Sequence, residues 1–209
     1  MRSNLLATGI ACLLAAAATV AALHSTRVAQ AASVNAPAYT PTGEMLPPTH
    51  YREWIYLTSG LGMSYNPKPA DMVMFDNVFV NPEAYRSFLA TGTWPDKTVL
   101  VLETREARGK GSINQHGHYQ GTGIMGFEVH VKDEARFPNQ WAFFDFDTPT
   151  SKGTLIPQGA PCYSCHAAHG AVNTTFVQFY PTLLPIAQEK HTLSAEFLKE
   201  ETEHPVPAK

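Results

Sequence analysis

The sequence has little charge and little positive charge in particular. Asp, Glu, Lys and Arg make up 16% of its 209 residues, against about 25% in an average soluble protein. The first 31 residues hold two arginines and no acidic residue, which leaves 13 basic and 18 acidic side chains in the rest of the chain. A mildly acidic body without a Lys/Arg stripe argues against nucleic acid as the main partner. Aromatic residues at 11% argue against a disordered chain.

The N-terminus has the pattern of an export signal. A short basic start, Met1–Asn4, precedes an apolar run from Leu5 to Leu23. The small-x-small pattern at Val28–Ala31 is typical of signal-peptidase cleavage, so we predict a signal peptide over residues 1–31 and a periplasmic mature chain. A retained membrane anchor is the alternative, because about 19 apolar residues can just span a bilayer.

Cysteine is scarce, and three is an odd number for an exported protein. Cys12 lies inside the apolar run and is lost if the signal is cleaved, which leaves Cys162 and Cys165. In an oxidising compartment such a pair can form a disulfide, a redox couple or a cofactor attachment site.

The two remaining cysteines belong to a motif, Cys162-Tyr163-Ser164-Cys165-His166. C-x-x-C-H is typical of c-type haem attachment, in which two thiols form thioethers with the vinyl groups and the adjacent imidazole binds iron. A thioredoxin-like pair would follow the first strand of a βαβ unit, and structural zinc would need a second ligand pair. The sequence therefore predicts one covalently attached haem c per chain, with His166 as its iron ligand.

No methionine follows the motif. Small helical electron-transfer cytochromes have His/Met ligation with the methionine downstream, so that class is excluded. We interpret Met72, Met74 and Met125 as sheet-packing residues, while an upstream Met or His as sixth ligand stays open.

Residue patterns predict an α+β fold that is mainly β. Asn81 as a cap and Pro82 at the first helical position indicate a helix to about Ala90, and another helix is expected to begin near Cys162. Short connections favour an antiparallel sheet of about four to five strands with flanking helices and the haem packed against it. The predicted strands cover residues 72–80, 98–104, 124–131 and 141–146, and the Gly-rich residues 105–123 are interpreted mostly as a hairpin loop.

The chain length suits a single domain. Residues 32–49 are rich in Pro, Thr and Ala and are interpreted as an extended leader. We expect the haem domain over residues 50–188 and a charged tail, with a short surface helix, over residues 189–209.

Six motifs are spread over the mature chain in a fixed order. They are Tyr51-Arg52-Glu53-Trp54, Val78-Phe79-Val80-Asn81-Pro82-Glu83-Ala84-Tyr85, Val129-His130-Val131-Lys132-Asp133 with Arg136-Phe137, Trp141-Ala142-Phe143-Phe144, Cys162 to His166, and Phe176-Val177-Gln178-Phe179-Tyr180-Pro181. On these motifs the sequence resembles the cytochrome P-460 and cytochrome c′-beta family. The resemblance implies a mainly antiparallel β-fold, often a homodimer, with one covalent haem that is five-coordinate through His166.

The resemblance also implies two possible functions. Cytochromes P-460 oxidise hydroxylamine and pass electrons to a soluble cytochrome, with a lysine cross-linked to the porphyrin and an acidic residue that assists proton removal. Cytochromes c′-beta lack the cross-link and bind nitric oxide or carbon monoxide in an apolar distal pocket with phenylalanines.

The residues favour the gas-binding branch. No lysine lies in 72–80, where the resemblance places the cross-link, and the nearest, Lys68, lies in a Pro-rich loop. Phe75 and Phe79 share one face of that strand by its two-residue alternation and are predicted to line the haem pocket. Residues 136–141 contain no carboxylate where hydroxylamine oxidisers place their acid. Hydroxylamine oxidation and plain electron transfer are the alternatives, so an enzymatic activity stays open.

Several further residues are candidates for the distal side. His116 and His118 lie in the Gly-rich segment and could fold over the haem, although exposed loop histidines are more frequent. His130 and Glu128 alternate with Phe127, Val129 and Val131, so we expect both at the surface.

Overall fold

The computed structural model describes residues 34–64, 72–138 and 141–203. The predicted signal peptide, the loop containing Lys68, and residues 204–209 lie outside this part of the chain. Within it, six strands form one antiparallel sheet in chain order: β1 (Ile55–Leu61), β2 (Met74–Val80), β3 (Val99–Arg108), β4 (Tyr119–Lys132), β5 (Trp141–Phe146) and β6 (Thr154–Leu155).

Helices flank this sheet. The α-helices are α1 (Pro82–Thr91), α2 (Pro161–His169), α3 (Leu184–Glu189) and α4 (Ala195–Glu203), and 3-10 turns lie at Tyr51–Glu53 and Val177–Phe179. No helix among the described residues has the length and apolar character needed to cross a membrane. The prediction of an antiparallel sheet with flanking helices is confirmed, and two strands, β1 and β6, are added to the four predicted.

Helix α1 has the predicted bounds within one residue. Pro82 occupies the first helical position, and Gly92 ends the helix with a φ of 73°, a left-handed conformation that favours glycine. The Asn81 side chain does not cap the helix. Its amide instead donates to the Lys97 carbonyl (3.2 Å) and accepts from the Val99 N–H (2.9 Å), which ties the start of α1 to β3.

Both faces of the sheet are covered. On one face, Val101, Phe127, Val129 and Phe144 pack against a buried N-terminal segment that includes Met45. On the other, Leu100 and its neighbours pack against α1, α3, α4 and the segment that follows α2. Strands buried on both sides contain continuous apolar runs instead of a clean alternation, which explains the composition of β5, WAFFDF.

The hairpin between β3 and β4 is shorter than predicted. Strand β3 continues to Arg108 and β4 begins at Tyr119, so the loop covers only residues 109–118. Two of the glycines that suggested a loop, Gly121 and Gly123, lie inside β4. Further along β4, a Cβ at Gly126 would lie 2.7 Å from Thr104 Oγ1, so a larger residue there would require the Thr104 side chain to move.

Ordered structure begins before residue 50 and continues past 188. Met45 is 1% exposed and forms bridges with Tyr39 and Gly153, so the predicted extended leader covers one face of the core. In the tail, Phe197 of α4 is buried in the core. The tail helix is therefore packed into the fold and does not lie loosely on its surface.

One buried carboxylate lies in the otherwise largely apolar core between the sheet and the N-terminal segment. Glu103 is 2% exposed and lies on the same face of the sheet as Phe127. Its carboxylate accepts from Arg52 Nη2 and Arg105 Nε, both at 2.5 Å, and from the Tyr51 hydroxyl. Burial, followed by the bond to Glu103, raises the pKa of Tyr51 to about 12. The ion-pair partner of Arg52 is therefore Glu103 of the same chain, on the face of the sheet opposite to α2.

Replacing this carboxylate should destabilise the fold strongly. Glu103→Ala leaves the guanidinium of Arg105 without its buried partner, and breaking a buried ion pair costs about 3–5 kcal/mol. Glu106→Ala, on the same strand, removes an exposed pair with Arg108 and should have a much smaller effect. Urea unfolding of the two variants measures the difference, and equal midpoints would contradict a stabilising role for the Glu103 cluster.

Candidate functional site

Helix α2 presents the cysteine–histidine motif on one face. Pro161 starts the helix, and Gly170 ends it with a backbone N–H that donates to the His166 carbonyl. Residues at positions i, i+3 and i+4 of a helix are neighbours on its surface, so Cys162, Cys165 and His166 lie side by side. The helix is fixed to the sheet by Tyr163, whose hydroxyl donates to the Ile156 carbonyl at 3.0 Å.

Neither Cys162 nor Cys165 is in a disulfide, and both are half-buried. Burial raises the pKa of the Cys165 thiol, with smaller contributions from Cys162 and Glu200. A raised pKa is the opposite of what activates a redox-active thiol. Cys165 therefore lacks the lowered pKa that is typical of a thiol active in thiol–disulfide exchange.

The His166 imidazole is held in one orientation. Its Nδ1 lies 2.7 Å from the Thr174 carbonyl oxygen, so Nδ1 is the protonated nitrogen and Nε2 keeps its lone pair. Burial lowers the pKa of His166, which favours the neutral ring. A neutral imidazole whose other N–H donates to a carbonyl is the usual arrangement of a metal-binding histidine.

A cavity of about 320 Å³ opens beside His166. The sheet face between β1 and β5 forms one wall, and the segment after α2 forms the other. The lining side chains are mostly apolar; those of the sheet include Val78, Leu100, Leu102 and Phe143, and those of the C-terminal segment include Phe176, Phe179 and Tyr180. The Phe176 and Phe143 rings lie 4.2 and 4.7 Å from the His166 ring.

His130 is buried in this wall, and its predicted surface position is wrong. It is 8% exposed, its ring stacks on Phe143 at 4.0 Å, and its centroid lies 4.9 Å from that of His166. Burial, with a smaller contribution from His166, lowers its pKa well below the ordinary value. Because the two imidazoles are in contact, His130 supports His166 and cannot bind the opposite side of a haem that His166 holds.

Two carboxyl groups line the cavity, which is therefore not purely apolar. Asp76 and Glu128 face it from β2 and β4. Burial raises the pKa of Asp76, and burial followed by the charges of Asp145 and Asp76 raises the pKa of Glu128. Glu128 is exposed to solvent, as predicted. It also lines the cavity, which the sequence did not indicate.

Phe75 and Phe79 lie away from the cavity. Strand alternation sends them to the other face, where the Phe79 ring lies 5.6 Å from Tyr51. The same alternation brings Asp76 and Val78 to the cavity. His116 and His118 are exposed in the loop 109–118 and are not among the lining residues.

Among the described residues that line the cavity there is one methionine and no lysine. Lys132 instead donates to the Trp94 carbonyl at 3.0 Å. Met72 and Met125, which were predicted to pack in the sheet, are about half exposed, so neither is a core residue. Met63 does line the cavity, since a left-handed turn at Gly62 folds its sulfur over Gly60, which has no side chain to block it.

The residues around the cavity fit a haem. Two free thiols, a neutral imidazole with an available nitrogen and a largely apolar cavity beside them meet the chemical requirements of the group. Comparison with protein families adds that residues 48–177 match the family model described as Cytochrome P460. The chain belongs to the cytochrome P460 family.

Membership of the cytochrome P460 family identifies the chain as a haem cytochrome. A search of the curated proteins found no match. The matched range ends within the 3-10 turn at Val177–Phe179, so it includes the cysteine–histidine motif and all six strands but leaves out α3 and α4.

Three residues of the site were not predicted from the sequence, for different reasons. Asp76 had a usable signal, a charge inside an otherwise apolar strand. Met63 depends on the turn at Gly62, which no motif marks. The partner of His166 is a backbone carbonyl at Thr174, and a backbone atom leaves no signal in the sequence.

The raised pKa of Asp76 predicts a pH-dependent stability. A carboxyl whose pKa is higher in the folded state destabilises the fold increasingly as pH rises from about 4, up to its folded pKa. Asp76→Asn should therefore unfold at a higher temperature than the wild type at neutral pH and at the same temperature below about pH 4. Thermal unfolding across this range tests it; a constant difference at every pH would contradict the assignment.

Proposed function

We propose that this cytochrome P460 family member is a periplasmic mono-haem protein that binds nitric oxide or carbon monoxide. The observation that supports this most is the cavity that His166 shares with a largely apolar wall. A haem held there would supply an iron that binds a small ligand. His166 would hold the iron, and the side chains that line the cavity would determine which ligands reach it.

The apolar lining favours neutral diatomics. Phe176 and Phe179 on one wall and Leu102 on the other give the cavity a largely apolar lining, and an oxygen molecule needs a hydrogen-bond donor to stabilise its charge separation. No lysine or arginine is among the described lining residues. Nitric oxide and carbon monoxide need no such donor, so this cavity suits them better.

The proposal includes covalent attachment through both thiols of α2. The Cys162→Ser/Cys165→Ser variant should lose its haem to organic solvent after denaturation, whereas the wild type should keep it. Ser164→Ala changes an exposed residue of the same motif and should keep haem as the wild type does. Mass spectrometry of the denatured chains gives the result, and haem loss from the wild type would contradict thioether attachment.

Hydroxylamine oxidation is the second candidate, and Asp76 and Glu128 favour it. This oxidation releases protons as well as electrons, and carboxyl groups with raised pKa values are better proton acceptors near neutral pH. The two groups would take up the protons, and a soluble cytochrome would take up the electrons. The absence of a lysine from the described lining residues gives this candidate less support than the first.

Electron transfer with a sixth protein ligand is the third candidate. Met63 favours it, because its thioether lies in the cavity wall. Met63→Leu keeps the size of the side chain and removes the sulfur, so a low-spin spectrum that this variant abolishes would support a Met63 ligand.

Absorption spectra, a hydroxylamine turnover assay and a mass measurement together separate the candidates. If gas binding is the function, the ferrous protein should be high-spin without added ligand, bind nitric oxide and carbon monoxide, and fail to turn over hydroxylamine with a soluble cytochrome as acceptor. Turnover that Glu128→Gln abolishes, with Glu106→Gln as the exposed control, would favour the enzyme. A mass above that of thioether-bound haem, with a strongly red-shifted ferrous Soret band, would show a cross-link and overturn the gas-binding proposal.

A further inference from the structure

Trp94 lies outside the cavity but belongs to the network that holds His166. It is 2% exposed, follows α1, and its ring packs on Phe88 at 4.4 Å. Its indole Nε1 donates to Thr175 Oγ1 at 2.8 Å, a bond between two buried groups 81 residues apart in sequence. The backbone of Trp94 is held as well, because Lys132 Nζ donates to its carbonyl.

Thr175 closes the turn that presents the acceptor for His166. Its hydroxyl donates to the Val172 carbonyl at 2.7 Å, and its backbone N–H donates to the same oxygen at 3.0 Å. Between them, Asn173 has a φ of 54°, a left-handed conformation that costs energy for a residue other than glycine. Thr174 follows, and its carbonyl accepts the Nδ1–H of His166.

The hydrogen bonds form a continuous path from Trp94 to His166. The indole fixes the Thr175 hydroxyl, the hydroxyl fixes the turn, and the turn sets the distance between the Thr174 carbonyl and His166 Nδ1. A carbonyl that accepts the N–H of a ligating histidine makes the imidazole a stronger electron donor to the metal. Such hydrogen bonding is one of the ways a protein sets the potential of a haem.

We propose that Trp94 is a positioning residue that raises the basicity of His166 through Thr175 and the Thr174 carbonyl. The inference rests on the proposed function, in which His166 binds the haem iron. A more basic ligand stabilises the oxidised metal, so Trp94 lowers the reduction potential.

Trp94→Phe tests this, because it keeps an aromatic ring against Phe88 and removes the donor together with part of the indole ring; the Trp54→Phe control makes the same change in volume. In the holoprotein we expect a shift of the haem potential to higher values and of the ferrous iron–histidine stretching band in resonance Raman spectra to lower frequency. Thr175→Val should shift both in the same direction, and Thr175→Ser, which keeps the hydroxyl, should restore the wild-type values. The double variant Trp94→Phe/Thr175→Val should shift no further than the larger single effect, because both remove the same path.

Trp54→Phe is the matched control. Trp54 is also buried, and its indole Nε1 donates to Asn35 Oδ1 at 3.0 Å, on the N-terminal side of the core. This variant should lose stability without either shift. If Trp94→Phe lowers the unfolding temperature but leaves the potential and the Raman band unchanged, as the control does, the inference is wrong.

Different results would contradict the proposed function and the inference. High-spin ferrous wild-type protein without an iron–histidine band, or with a band that His166→Gly does not remove, would contradict His166 ligation and the inference with it. A normal band and normal carbon monoxide binding in Trp94→Phe, with no shift, would leave the proposed function standing and overturn only the role of Trp94.

Discussion

The central sheet is covered on both faces, and a polar group that is buried against either face therefore needs a partner inside the protein. On the N-terminal side, Glu103 meets this requirement with Arg52, Arg105 and the Tyr51 hydroxyl. On the other side, His166 meets it with the Thr174 carbonyl. The two arrangements differ in outcome, because the first is closed and satisfied, while the second leaves one imidazole nitrogen free for a ligand.

The division of the sheet into two faces also separates stability from function. The N-terminal segment with Met45 packs against its face, whereas the C-terminal segment leaves a cavity between itself and the strands. Helix α4 and Ser194, which directly precedes it, lie outside the range of the family match. Both contact the end of α2 and the segment that follows it, close to His166. Ser194 donates to the Gly170 and Ala171 carbonyls, and Glu200 lies 3.0 Å from His169 Nδ1.

Most of the helices and strands and the haem motif could be predicted from the sequence. Which face of the sheet borders the cavity could not. The C-x-x-C-H spacing and the Asn-Pro start of α1 are local signals, so α2, α1 and most strands could be predicted. Alternation divides the residues of a strand between two faces, but it does not show which face borders the cavity when both faces are covered. Phe79 in β2 and His130 in β4 were misplaced for this reason.

The acceptor for His166 is a main-chain atom, and this makes the contact insensitive to changes at the residue that provides it. Almost any side chain can replace Thr174 without deleting the carbonyl. Sequence drift is restricted instead at positions that shape the turn, such as Gly170, where a Cβ would lie 2.7 Å from the His166 carbonyl and 2.9 Å from the Thr175 nitrogen. Among relatives of this protein, variation at 174 combined with constancy at 94, 170 and 175 would be the evolutionary trace of a site held by backbone geometry.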